Sequence, residues 1–97
     1  MRFESFGVEA PVSISIGSAQ NVEELGSLAA QVSGTFVATM QLEGSLDGST
    51  WNTIIADITT TGFHAIDPIL KAVRINTTAY TSGSPVVIVA GHNVRTH

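Results

Sequence analysis

Cysteine is absent from the 97 residues. That excludes a disulfide-stapled secreted scaffold and any thiolate metal site, and it suits folding in a reducing cytoplasm. Positive charge is scarce too. Arg2, Lys71, Arg74 and Arg95 are the only cations against eight carboxylates, and they do not cluster. Nucleic-acid binding needs several phosphate-neutralising cations on one face, so no nucleic-acid partner is expected. The longest apolar run, Val86 to Ala90, falls far short of the ~20 residues of a membrane-spanning helix, so no membrane partner is expected either. The segment Met1-Arg2-Phe3-Glu4-Ser5-Phe6 lacks a signal peptide's apolar stretch and carries an early acid. The product is therefore expected to stay where it is made, unless an assembly carries it out.

What is present is period-two alternation almost throughout. Val12, Ile14 and Ile16 alternate with serines, the pattern of a half-buried strand. Leu28, Ala30 and Val32 do the same from about Gly26. The clearest stretch is Thr35 to Glu43, with Phe36, Ala38, Met40 and Leu42 on one face. After the polar loop Gly44 to Thr50, extended structure resumes from Trp51 to Ile58, with Ile54, Ala56 and Ile58 on one face. Phe63 to Ile66 reads as a short strand ended by Asp67-Pro68. Ala72 to Thr78 places Val73 and Ile75 inward, with Arg74 and Asn76 outward. Thr81 to Pro85 turns the chain, and the unbroken run Val86 to Ala90 predicts a strand buried on both faces. Seven or eight short strands with turn signals about every ten residues define an all-β fold, a sandwich or small barrel. The reading taken is a small antiparallel β-sandwich, jelly-roll-like, spanning residues 12–97 as one domain. Its expected core is Ile14, Ile16, Leu28, Phe36, Met40, Leu42, Trp51, Ile54, Val73, Ile75 and Ile88. Residues 1–11 stand apart as a short N-terminal arm, because Gly7 and Pro11 interrupt any regular element.

Chemistry is thinly represented. His64, His92 and His97 have no close spacing of the kind that builds a zinc site, so no metal and no cofactor are expected. Asp47, Asp57 and Asp67 recur every ten residues, which is the strand-plus-turn repeat; no calcium-loop pattern surrounds them. Paired acids for glycoside hydrolysis would need two carboxylates facing one cleft, and Glu43, Asp47 and Asp57 carry no signal of that. Gly44-Ser45-Leu46-Asp47-Gly48 misses the nucleophile elbow in spacing and precedes a strand rather than a helix. No catalytic residue is assigned, and the chain is not expected to be an enzyme. Trp51, Phe63 and Tyr80 could stack on sugar rings, although a solitary tryptophan at a strand start is more often core.

Two segments carry a family resemblance: Val32-Ser33-Gly34-Thr35-Phe36 running into Glu43-Gly44-Ser45-Leu46-Asp47-Gly48-Ser49-Thr50-Trp51, and Val73 through Pro85. They resemble short β-sandwich proteins and domains among bacteriophage structural genes, in capsid decoration (cement) proteins and in tail or fibre components. The resemblance covers roughly residues 30 to 90. It implies a location in the virion after synthesis in the host cytoplasm. The implied role is a non-enzymatic module bound to the outside of the shell, with the phage major capsid protein as partner. Self-association as a homotrimer near a local three-fold axis is expected with it. The alternative is a receptor- or carbohydrate-binding module of a tail fibre or baseplate, which a ring of exposed aromatics around one pocket would favour. Phe3, Phe6 and Val8 of the arm, with Tyr80 beside its turn, are the expected partner-binding residues.

Overall fold

The computed structural model describes residues 2–23, 25–66 and 70–93. They form nine strands: β1 (Arg2–Val8), β2 (Ser15–Ile16), β3 (Gln20–Asn21), β4 (Leu25–Ser33), β5 (Phe36–Ser45), β6 (Asn52–Ile58), β7 (Gly62–Ala65), β8 (Ala72–Gly83) and β9 (Val86–Asn93). Two antiparallel sheets face each other. One has the order β1-β9-β4-β7; the other has β2-β8-β5-β6, with β3 also paired to β8. The fold is thus the expected all-β sandwich, one or two strands richer than the turn signals indicated.

One long ribbon organises both sheets. In the first, β4 pairs with β9 up to Ser33 opposite Val86; in the second, β5 pairs with β8 from Phe36 opposite Gly83. The register passes from one sheet to the other without slip, so β4–β5 and β9–β8 are a single two-stranded ribbon folded over at its middle. That roll-over makes the sandwich jelly-roll-like. The corner depends on Gly34 and Gly83, both with φ near +90°. A Cβ on Gly83 would collide with the Thr35 carbonyl, and one on Gly34 would collide with the Ser84 carbonyl. The Ser84 N–H also donates to the Thr35 carbonyl at 2.9 Å, which ties the two turns together.

The interior collects the inward residues of the ribbon. Met40, Leu42, Val73, Ile75 and Val89 have no measurable exposure, and Leu28, Ala30, Val32, Ile58 and Val87 pack with them. Phe36 and Ile54 lie half-buried against this cluster. The expected alternation therefore holds along β4, β5 and the first half of β8.

Four expectations fail, each for a reason of register. Ile14 and Ile16 are exposed, Ile14 at 71%. Of the expected strand only Ser15 and Ile16 pair, residues 12–16 are exposed throughout, and Ile16 lies opposite Asn76, an outward residue. Pro11 is buried instead, and its carbonyl accepts the hydroxyl of buried Thr77 at 3.0 Å. Second, the face Ile54–Ala56–Ile58 is broken. Between the pairs Met40–Ile58 and Leu42–Ile55 the strand β6 carries an extra residue, and Asp57 takes φ 54° there, leaving Ala56 exposed. Third, β9 is buried on one face only. Val87 and Val89 point inward, whereas Val86 is exposed and Ile88 half-exposed on the outer face of the sheet.

Fourth, residues 2–8 are not an arm. They pair with β9 in unbroken register from Arg2 opposite Asn93 to Val8 opposite Val87. Val8 belongs to the core and Phe6 packs against it. Gly7, read as an interruption, sits in this regular strand facing open space.

Candidate docking surfaces

The two outer faces of the sandwich differ in character. On the five-stranded sheet, Glu43 lies opposite Arg74 across β5 and β8. The Arg74 Nε donates to Glu43 Oε1 at 2.7 Å, and the Asn76 amide donates to Oε2 at 3.1 Å. The Arg74 guanidinium also covers the Trp51 ring, 4.3 Å from its centroid. Beside this group the Thr53 hydroxyl donates to Gln41 at 3.2 Å. Polar groups on this face satisfy one another, and Glu43 is buried beneath its partners. Trp51 is consequently an outer-face residue clasped by a cation, not the core anchor expected of it. The sequence concealed this cluster because 31 residues separate Glu43 from Arg74, and only the ladder register sets them side by side.

The four-stranded sheet presents the opposite surface. Cross-strand pairing aligns its outward residues in rows. Ser5 lies opposite Ala90, Ala90 opposite Ala29, and Ala29 opposite Ala65. Two residues along the strands, Gly7 lies opposite Ile88, Ile88 opposite Gln31, and Gln31 opposite Phe63. The first row is all small side chains. Above it lies a shallow depression of about 340 Å³, flanked by Ile88 and Phe63 on one side and His92 on the other. Phe63 is 77% exposed, the most exposed large apolar side chain among the described residues. No Asp, Glu, Lys or Arg belongs to either row. These two uncharged rows contrast with the Glu43–Arg74 cluster on the other sheet.

The expected partner-binding residues scatter. Val8 is buried and Phe6 half-buried against the core, so neither offers a free anchor. Phe3 lies in β1, and its side chain is outside the described residues. Tyr80 pairs with buried Ala38 on the inner side of β8, close to the corner. Its hydroxyl donates to the Gly83 carbonyl at 2.7 Å, a bond that braces the turn. A further apolar strip, Val12, Ile14 and Ile16, stands exposed along the edge held by β2.

The acids are separated by task. The Asp47 Oδ1 accepts the Thr50 N–H at 2.7 Å, the Ser49 N–H at 2.8 Å and the Ser45 hydroxyl at 2.9 Å. These donors hold its carboxyl well below the usual carboxylate range. The Ser45 hydroxyl oxygen in turn accepts the Gly48 N–H at 2.8 Å, so the loop following β5 is closed on itself. Asp47 and Leu46 border an open cleft of about 720 Å³ between the sheet edges, whose floor is Gly44, Ile54 and Leu70. Asp57 is exposed at its bulge; Asp67 and His97 lie outside the described residues. Glu9 accepts the Ser18 N–H at 2.7 Å, which lowers its pKa likewise. Among the described residues, no three of His, Asp and Glu converge.

No family model and no curated protein matches the chain in sequence. Solved structures do resemble it. The SPBc2 prophage-derived protein YomS superposes with a TM-score of 0.75 at 17% identity, over 93% of this chain and 92% of that one. A chain from the disulfide-linked pili described as Bacillus endospore appendages superposes at 0.51 with 11% identity, over 97% of this chain and 85% of the other. At these identities the likeness is one of fold: the chain has the sandwich fold of the prophage-derived YomS.

Proposed function

We propose that the chain is a non-enzymatic structural part of a phage particle, a capsid decoration module that docks on the outside of the shell and stabilises it. The observation that carries this reading is the uncharged apolar outer face of the four-stranded sheet, set on a rigid module whose other outer face satisfies its own polar groups. Charged residues are depleted from the cores of protein interfaces, and such a face suits contact with other protein. The fold shared with a prophage-derived protein supports the particle setting. Neighbouring sites on a capsid lattice would raise the avidity of each weak contact. With no cysteine in the chain, its contacts are not disulfide bonds, unlike those of the disulfide-linked pili.

A glycan-binding fibre module would gather aromatic rings around one depression. Here Phe63 stands on one outer face, Trp51 over the other, and Tyr80 at the corner. That dispersal favours the decoration reading.

A reconstruction of particles from the phage or prophage encoding the chain tests the proposal. Density for the sandwich is expected on the outer capsid surface, and particles lacking the protein should break at a lower temperature. Density confined to the tail, or none at all, would overturn it.

A further inference from the structure

We infer that the outer face of the four-stranded sheet is a two-fold interface with a second copy of this chain, in which Phe63 of each copy lies over Gly7 of the other.

The inference rests on the order of residues within the rows. Two sheets stacked face to face, related by a two-fold axis along the strands, bring β7 of one copy over β1 of the other. The rows then superpose end for end. Phe63, at one end of its row, meets Gly7 at the other end, and Gln31 meets Ile88. Large meets small at both edges. Around Gly7 there is open space: a Cβ there would find no atom within 4 Å. The neighbouring row, Ser5-Ala90-Ala29-Ala65, superposes small on small and lets the sheets approach closely. A self-complementary patch of this kind is what an isologous pair requires.

Charge agrees. The chain carries a net charge of −4, so two copies repel at most approaches, whereas neither row contains a charged residue. Area sets the strength. Three strands taken at seven residues each and the four-residue β7, about 4.8 Å apart with about 3.4 Å per residue, give roughly 400 Å² of face. A pair then buries on the order of 800 Å², below the ~1,200 Å² at which stable complexes begin. Pairing is weak in dilute solution and closes where copies are held at the roughly millimolar effective concentrations of a crowded lattice. A two-fold pair is proposed here in place of the three-fold ring that the family resemblance implied; it gives the four-stranded face to contact between neighbouring copies on the lattice and leaves the shell to be met by other surface, such as the exposed edge strip Val12, Ile14 and Ile16.

The test uses the purified chain alone, so its failure would leave the particle role standing. Sedimentation equilibrium up to millimolar concentration should show a monomer–dimer equilibrium. Phe63→Asp should weaken it by about tenfold or more, one order of magnitude being ~1.4 kcal/mol. Gly7→Leu should do the same by filling the space the partner's ring takes, and both variants should melt as the wild type does. Absence of cysteine permits a geometric check. Ser5→Cys and Ala65→Cys chains, mixed and treated with a bismaleimide of about 10 Å, the spacing of stacked sheets, should give a covalent pair. Neither should do so alone, since like positions fall at opposite edges. A monomer at all concentrations, a trimeric mass, association indifferent to Phe63→Asp, or equal cross-linking of either variant alone would overturn the inference.

Discussion

At the scale of single residues, the corner glycines and the pinned carboxylates separate conformational from electrostatic contributions. Gly83 combines φ +90° with a Cβ position already taken by the Thr35 carbonyl. Gly83→Ala should therefore cost about 3 kcal/mol, the range of a strained backbone held in place. Gly7→Ala, in open space, should stay within about 0.5 kcal/mol. Urea unfolding of the two variants checks the contrast. In the core, Met40→Ala should cost about 2–5 kcal/mol, whereas Ile14→Ala at the exposed edge should change stability by less than about 0.5 kcal/mol. Asp47 and Glu9 are both held below the ordinary carboxylate range in the folded state. The stability they contribute is present above that range and is lost as pH falls through the folded values. Urea midpoints should accordingly drop as pH falls from 5 toward 2. Asp47→Asn, which keeps an acceptor for Ser49 and Thr50 without a titrating group, should flatten part of that drop. An unchanged slope in Asp47→Asn would show that the loop's hydrogen bonds do not favour the ionised form.

At the scale of elements, the comparison of sequence with structure turns on what alternation can encode. Period two specifies that Phe36, Ala38, Met40 and Leu42 share a face, and their apolar character says which face is inward. β4 and the first half of β8 were legible for the same reason. Alternation leaves the phase of an edge segment open. In Val12 to Ile16 only Ser15 and Ile16 form strand, and Ile16 is exposed opposite Asn76 rather than set beside an inward neighbour. Nor does it reveal bulges: Ser27 and Asp57, the two non-glycine residues at positive φ among those described, both sit where strand registers shift. Surface pairs such as Glu43–Arg74, and the small-residue row on the other face, are products of register between distant segments. No local pattern announces them. β1 shows the consequence most directly. Gly7 read as an interruption, yet the strand runs through it and contributes Val8 to the core. Deleting residues 2–8 should therefore remove cooperative melting, because β9 would lose one neighbour along its whole length and the core would open beside Val87. A truncated chain that melts cooperatively near the wild-type temperature would return the segment to the status of an arm.

At the scale of the molecule, the folded ribbon and the position of β1 make a joint statement about connectivity. β1 pairs with β9 from Arg2 opposite Asn93, so the two ends of the described chain are neighbours on one edge of the four-stranded sheet. The ribbon itself is formed by residues 25–45 with 72–93 and turns at a single corner. The connection between β6 and β7, through exposed Thr59, Thr60 and Thr61, lies outside it. Breaking the chain there and joining the old ends with a short Gly-Ser linker preserves every strand pair. Such a permutant starting at Thr60 should keep a β-type circular dichroism spectrum and melt cooperatively, because exposed loop tips tolerate new termini. Breaking the chain at Gly34–Thr35 instead keeps the strands but frees one of the two turns that hold the corner. Non-local pairing must then recover, without a covalent guide, the register that Ser33–Val86 and Phe36–Gly83 share across the bend. That permutant should be much less stable than the first and should refold more slowly, since loop closure would precede the contacts that reward it. Equal stability and refolding rates for the two permutants would mean that the corner follows from the sheets rather than aligning them.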